Sequence, residues 1–384
     1  MQKKIENNFS SLVNVELVHS GDDYFQRLLN IISNAQTEIH LQTYIFESDE
    51  IGQKIANTLI EVAKKNVQIF VLLDAYGSRN LSSTFLNNLS ENGINVRLFS
   101  PFFSMNNFYI GRRLHQKVIV ADGNTALIGG INIADKYRGS LSEIPWLDFA
   151  VQIKDEAICK PLQELCSNIY FKKSKLKSQP LFTNKDASVK ILQNDWLKRK
   201  NEISNAYTRT FQKATNEIII VASYFLPSKR LRNVLKIASR KKVKIKIVLS
   251  SLSDLPIALW ATKYLYNSFL KQGIELYEWK KSVLHGKLAI VDGNWTTIGS
   301  FNLNHLSSFG SIEMNVAINS NLFTEKVSLK LNDIITQCNK ITFETLEKRN
   351  EIFRRFRNFI AYYFVRIVLI IGTYIPRKGF FKFY

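Results

Sequence analysis

The chain has 384 residues, 46 % of them hydrophobic, enough to bury one large core or two of ordinary size. Its 52 Lys and Arg against 32 Asp and Glu leave a net charge of +20, which suits a polyanionic partner, either nucleic acid or an anionic membrane, unless it is only a solvated basic face. Cys159, Cys166 and Cys338 form no CxxC pair, which argues against a zinc site or a disulfide framework and for reduced packing residues in a cytosolic redox compartment.

The N-terminus, MQKKIENNFSSLVNVEL, has basic residues but no apolar core of signal-peptide length. TEIHLQTYIF (37–46) then reads as a strand. IGQKIANTLIEVAKK (51–65) reads as a helix with Ile51, Ile55, Leu59 and Val62 on one stripe. VQIFVLLD (67–74) and GINVRLF (93–99) are further strands, and LHQKVIVADGNTALIGGIN (114–132) is a hairpin around its DGN turn. The same succession returns later as NEIIIVASYF (216–225), VKIKIVLS (243–250), GIELYEW (273–279) and LHGKLAIVDGNWTTIGSFN (284–302). Strands alternating with helices predict an α/β layer architecture in two homologous halves, each a mixed sheet flanked by helices. The polar, basic, proline-containing stretch 171–190 separates them. The expected units are 1–175, a linker at 176–190, 191–345 and a C-terminal segment at 346–384. In that last segment, NFIAYYFVRIVLIIGTYIP (358–376) is apolar and flanked by Arg354, Arg355, Arg357, Arg377 and Lys378, with Arg366 at its centre. The central charge and the aromatic residues suit a helix lying in the headgroup plane better than a spanning one; a helix docked on the protein's own core is the other reading.

Two of the five histidines open the same pattern. His115, Lys117 and Asp122 stand in HQKVIVAD; His285, Lys287 and Asp292 stand in HGKLAIVD. Gly129 and Asn132 follow the first, Gly299 and Asn302 the second, at equal offsets. Residues two apart on a strand face the same way, so each histidine projects with its lysine, and each asparagine ends the returning strand beside them. Asp122 and Asp292 complete the candidate catalytic motifs but point to the opposite strand face, as structural supports. One imidazole, one ammonium and one carboxamide per half suit a phosphodiester. Lysine and asparagine bind the non-bridging oxygens, one histidine attacks phosphorus, and another protonates the leaving alcohol. His19, His40 and His305 have no such context and read as structural.

These paired HxKxxxxD…GxxN elements resemble the phospholipase D superfamily over residues 15–340. The resemblance implies that the two motifs meet at a pseudo-twofold interface, that no metal or other cofactor is needed, and that a phosphohistidine forms. It implies His115 as the nucleophile, His285 as general acid and base, and Lys117, Lys287, Asn132 and Asn302 as the phosphate grip. It also implies a carboxylate behind each histidine: Glu313 in the second half, and Asp148 of PWLD in the first, with Glu143 a weaker candidate. Asn304 and Leu306 depart from the family's usual acid and arginine.

Within the superfamily, GRRLHQK, GGINIADKY and PWLD are most similar to bacterial cardiolipin synthases of the shorter branch that lacks an N-terminal transmembrane pair. The implied reaction transfers a phosphatidyl group between phospholipids, phosphatidylglycerol foremost, and releases glycerol. The implied location is peripheral or monotopic, on the cytoplasmic face of a bacterial cell membrane with an anionic surface. Gln116 and Gly286, between His and Lys, carry little weight in this reading. The apolar stretches 101–113 and 255–266, with Phe108 and Trp260, line an access path for acyl chains or are a lid and a core-packed helix. A hydrolytic phospholipase D and, with less support from 358–376, a nuclease stay open; no nucleic-acid partner is expected.

Overall fold

The computed structural model describes residues 14–100, 103–104, 107–108, 112–172, 182–184, 187–195, 197–304, 310–348 and 352–379. The first half forms a seven-stranded sheet in the order Asn14–His19, Phe149–Lys154, Thr125–Gly129, Lys117–Ala121, Glu38–Thr43, Gln68–Asp74, Asn95–Phe99. The last three strands run parallel, while Lys117–Ala121 opposes Glu38–Thr43. The second half repeats that order with Ala187–Asp195, Ser311–Asn319, Trp295–Gly299, Lys287–Val291, Glu217–Ala222, Lys244–Ser250 and Glu275–Trp279, and adds Phe182–Asn184 and Asn339–Ile341 at its edges. The expected architecture of two α/β halves, each with a mixed sheet, is therefore present.

The parallel strands are apolar along their length because helices and the other half cover both faces. On the outer face of the first sheet lie the helices Asp22–Ser33 and Glu50–Ala63. The second begins where the Asp49 side chain accepts from the Gly52 N–H, and it buries Ile51, Ile55, Leu59 and Val62, the stripe read from the sequence. Helices Glu202–Lys213 and Lys229–Arg240 cover the second sheet in the same way. The inner faces of the two sheets share one core, in which Val118, Val120 and Val151 cluster with Leu288, Ile290 and Val316, together with residues of helices Glu156–Tyr170 and Asn321–Thr336.

One segment differs from the sequence expectation. The stretch 176–190, read as a linker, contains the strand Phe182–Asn184 and the start of Ala187–Asp195, which pairs along Ser311–Asn319. Val189 and Ile191 alternate with polar residues there, and that period-2 pattern is obscured by the lysines around it. The C-terminal segment forms the helix Ile352–Gly379, which docks on Pro256–Tyr264 by burying Ala361 and Tyr362. The Tyr264 and Tyr362 rings lie 4.6 Å apart, and Arg357 sits 4.4 Å over Trp260. Phe353, Phe356, Ile360, Phe364 and Ile367 are exposed on the opposite face. Among the described residues no helix is long and apolar enough to cross a membrane.

Candidate functional site

Each HxK element is positioned by a local device and a long-range one. Locally, the strand Lys117–Ala121 turns at Asp122 and Gly123, with φ of 53° and 62°, and returns as Thr125–Gly129. Asp292 and Gly293, at 50° and 69°, do the same in the second half. Two successive positive φ values are what a two-residue type I′ hairpin turn requires. The Asp122 carboxylate accepts from the N–H groups of Gln36, Thr37 and Glu38, and Asp292 accepts from those of Thr215, Asn216 and Glu217. These hydrogen bonds hold both carboxyls below the usual carboxylate range against the opposing effect of partial burial. Both aspartates sit at the far end of the hairpin, so the structure does not bring them beside the histidines.

The long-range device joins the halves twice. Leu114 pairs in parallel with Ile312, and the His115 N–H donates to the Ile312 carbonyl at 3.0 Å. Leu147 forms a parallel bridge with Leu284, and the His285 N–H donates to the Leu147 carbonyl at 2.8 Å. In each pair the next residue along one chain is the histidine and along the other the carboxylate. His115 Nδ1 thus lies 2.9 Å from Glu313 Oε2, and His285 Nδ1 lies 2.6 Å from Asp148 Oδ2. Each carboxylate serves the histidine of the opposite half. Glu143, the weaker candidate, is exposed on a loop where its N–H donates to Ser140 Oγ.

The hydrogen bond at Nδ1 directs each Nε2 away from its carboxylate, the orientation that a nucleophile or proton carrier needs. Lys117 Nζ donates to the His115 carbonyl at 2.6 Å, and Lys287 Nζ lies 2.8 Å from His285 Nδ1 and 3.8 Å from Asp148 Oδ2. Both lysines are buried. Burial first, and Lys287 second, push the Lys117 ammonium down to about 7. Burial pushes Lys287 down to about 8. Burial likewise lowers both imidazoles, His285 far below its ordinary value with help from Lys287, Lys117 and His115. Asp148 is pushed up to about 6 by burial, against the pull of Lys287. The centre therefore gathers buried cations that repel one another, and a phosphodiester anion would relieve that repulsion.

The two asparagines are not equivalent. Asn132 Oδ1 accepts from the Ile45 N–H at 3.1 Å, and its amide donates to Tyr137 Oη at 2.8 Å. Among the described residues Asn302 Oδ1 is buried with no partner. Tyr137, whose hydroxyl lies 3.4 Å from His285 Nδ1, was not singled out by motif reasoning, although it ends the GGINIADKY string. The Trp146 ring of PWLD lies tilted at 6.1 Å from the His285 ring, and Tyr44 lies 5.0 Å from the His115 ring. Ser300, the counterpart of Gly130, donates to Glu313 Oε2. Gly130 has no side chain because a Cβ there would stand 2.4 Å from the Asp148 carboxylate. Gly286 also matters: a Cβ would lie 2.9 Å from the Phe149 ring, so the spacer between His285 and Lys287 is held to glycine by close packing. Its counterpart Gln116 is buried and donates to Gln42.

The remaining histidines fall elsewhere. His40 is buried between Glu38 Oε1 at 2.6 Å and the Phe70 ring, and His19 Nδ1 meets the Ser20 carbonyl. His305 and Leu306 lie outside the described residues, as do most of 101–113. Trp260 packs under the C-terminal helix. The three cysteines are unpaired, and among the described residues no group of three or more His, Cys, Asp or Glu could hold a metal ion.

Comparison with known proteins places these observations in a family. The family described as cardiolipin synthase, phospholipase D-like domain, matches twice, at residues 28–169 and 207–335. Cardiolipin synthase B of Escherichia coli strain K12 is 30% identical over 367 residues, covering 92% of this chain and 87% of the relative. A cardiolipin synthase of Geobacillus sp. strain WCH70 is 29% identical over 341 residues, covering 86% and 68%. Among solved structures, phosphatidylserine synthase of Haemophilus influenzae Rd KW20 superposes with a TM-score of 0.73 at 17% identity, covering 97% of this chain and 99% of that one, a likeness of fold.

Proposed function

Because this chain belongs to the cardiolipin synthase family with phospholipase D-like domains, we propose that it is a phospholipid phosphatidyltransferase working through a covalent phosphohistidine, with phosphatidylglycerol as donor and acceptor. The observation that carries this reading is the crossed pair of His–carboxylate contacts, His115–Glu313 and His285–Asp148, with Lys117 and Lys287 buried beside them.

In the first step His115 Nε2 attacks the donor phosphorus, an N–P bond forms, and the P–O bond to the headgroup glycerol breaks. His285 gives its proton to the departing oxygen, so glycerol leaves neutral. In the second step a hydroxyl of another phosphatidylglycerol gives its proton to His285, its oxygen bonds to phosphorus, and the N–P bond breaks. The products are cardiolipin and free enzyme. The bound phosphodiester opposes the cationic field that depresses His285, which lets that imidazole hold a proton during the first step. Lys117, Lys287, Asn132 and Asn302 would bind the non-bridging oxygens. Of the two asparagines it is the Nδ2 groups, as donors, that would meet the phosphate oxygens. Glu313 and Asp148 are positioning residues that fix the tautomers.

The C-terminal helix supports membrane association. Its outward row Phe353, Phe356, Ile360, Phe364 and Ile367 is exposed, and the Arg366 guanidinium is kept beside Tyr362 Oη at 3.2 Å. Attachment at the cytoplasmic face of a bacterial membrane is part of this proposal, supported by the basic composition.

Incubation with phosphatidylglycerol vesicles, with products resolved by mass, tests the reading. Cardiolipin and glycerol are expected; phosphatidic acid alone would mean hydrolysis, and cleaved DNA without lipid turnover would mean a nuclease. His115→Ala should abolish formation of labelled enzyme, whereas His285→Ala should still trap label from a donor with a good leaving group.

A further inference from the structure

A basic cavity is lined by none of the residues of the reaction centre. It measures about 750 Å³ and opens where the C-terminal helix meets helices Pro256–Tyr264 and Tyr266–Leu270, and its lining includes Lys263, Lys271, Arg354, Arg355, Arg357 and Asn358. Among the described residues lining it Glu347 is the one acidic residue, and Lys263 is drawn 3.4 Å from Glu278. The cations gathered there repel one another. Arg354 and Arg355 also stand in the first turn of the helix, where the macrodipole disfavours positive charge. An anion in the cavity would reverse both penalties. Among the described residues Asn358 Oδ1 is buried without a hydrogen-bond donor, which a headgroup hydroxyl could supply. Tyr264, Phe343 and Leu346 make the rest of the wall partly apolar. The exposed aromatic row of the same helix begins at Phe353 and Phe356, beside these arginines.

We propose that this cavity is a non-catalytic site for the headgroup of an anionic, hydroxyl-bearing phospholipid, which seats the C-terminal helix on the membrane while the acyl chains stay in the bilayer. The phosphate meets Lys271 and the arginines, the headgroup hydroxyl meets Asn358, and Phe353 and Phe356 enter the acyl boundary. The inference rests on the reading that the chain works at a lipid surface, but not on the chemistry at His115.

The test is vesicle co-sedimentation of the full chain carrying His115→Ala, so that binding is read without turnover. Vesicles are phosphatidylcholine with and without phosphatidylglycerol. Lys271→Glu with Arg355→Glu should weaken binding to the phosphatidylglycerol vesicles roughly tenfold or more and leave the weak binding to neutral vesicles unchanged. Lys271→Arg with Arg355→Lys should bind as the parent does. In the otherwise native enzyme, the charge-reversed pair should turn over monomeric short-chain phosphatidylglycerol as the unaltered protein does. Three results would overturn the proposal: an equal loss from Lys236→Glu with Arg240→Glu on the outer helix, which means diffuse surface charge; competition by soluble glycerol phosphate as effective as by lipid, which means a soluble phosphoester site; or lost turnover of the monomeric substrate, which merges the cavity with the catalytic centre. Failure of the phosphohistidine reading would show instead in the labelling of His115 and would leave these binding results untouched.

Discussion

His115 and Glu313 are 198 residues apart in the chain, yet Nδ1 of one lies 2.9 Å from Oε2 of the other. The reciprocal contact between His285 and Asp148 spans 137 residues in the opposite sense. Neither half can orient its own imidazole, so the repeat is held as a pair by the chemistry as well as by the shared core. It follows that neither half folded alone should form labelled enzyme.

Replacing either carboxylate should therefore damage the histidine of the other half. Asp148→Asn removes the charge that holds His285 and leaves an amide able to donate to Nδ1 in the wrong tautomer. A loss of about 10²–10⁴ in kcat is expected, with KM little changed. Glu313→Gln should instead suppress the labelling of His115 itself. If Asp148→Asn stopped labelling while Glu313→Gln spared it, the crossed assignment would be wrong.

The pH profile of kcat/KM should be a narrow bell. Asp148 sits at about 6, and below that pH its carboxyl gains a proton and loses its hold on His285. Lys117 sits at about 7 and Lys287 at about 8, and above those values the ammonium groups are lost from the phosphate site. Activity on a phosphodiester then falls on both sides, since kcat/KM reports the free enzyme. Lys117→Arg should move the alkaline limb upward towards the Lys287 value, because a guanidinium stays charged. An unmoved limb would remove Lys117 from the explanation.

Gly286→Ala should cost stability as well as rate. The new methyl would meet the fully buried Phe149 ring, whose backbone neighbour is Asp148. Overpacking of this kind costs about 1–3 kcal/mol. Thermal unfolding and kcat should both fall, and a second change, Phe149→Leu, should recover part of each.

Asp122→Ala and Asp292→Ala should separate folding from chemistry. Each removes a carboxylate that accepts from three successive backbone N–H groups. A stability loss of about 1–3 kcal/mol is expected from the unsatisfied donors, with kcat of the folded fraction retained. A large fall in kcat at full stability would place these aspartates in the catalytic machinery after all.

The C-terminal helix shows where one-dimensional reading stops. Its apolar and aromatic residues were visible, and the core-docked reading describes the face that carries Ala361 and Tyr362. Ala361 and Tyr362 face the protein, while Phe356 and Phe364 face outward. Which face docks depends on the helix Pro256–Tyr264, nearly a hundred positions earlier, and no local pattern announces that partner. The spacer Gly286 makes the same point: as a residue between His and Lys it looked neutral, and only the Phe149 ring from the other half gives it a reason.

What the sequence by itself determined is whatever depends on short range. A strand alternates with period two, a DG pair turns tightly, and so His, Lys, Asp and Asn at set offsets must stand in set places on one hairpin. The doubling of that hairpin, and with it the two-half α/β fold, is likewise a matter of comparing one stretch with another. The pairing of Leu114 with Ile312 and of Leu147 with Leu284 was decided only by the tertiary structure, because register between distant strands is set by the packing of the whole inner core. That packing chooses which carboxylate meets which imidazole, engages the Asn132 side chain with Ile45 and Tyr137, and lowers the buried lysines by withdrawing water from them.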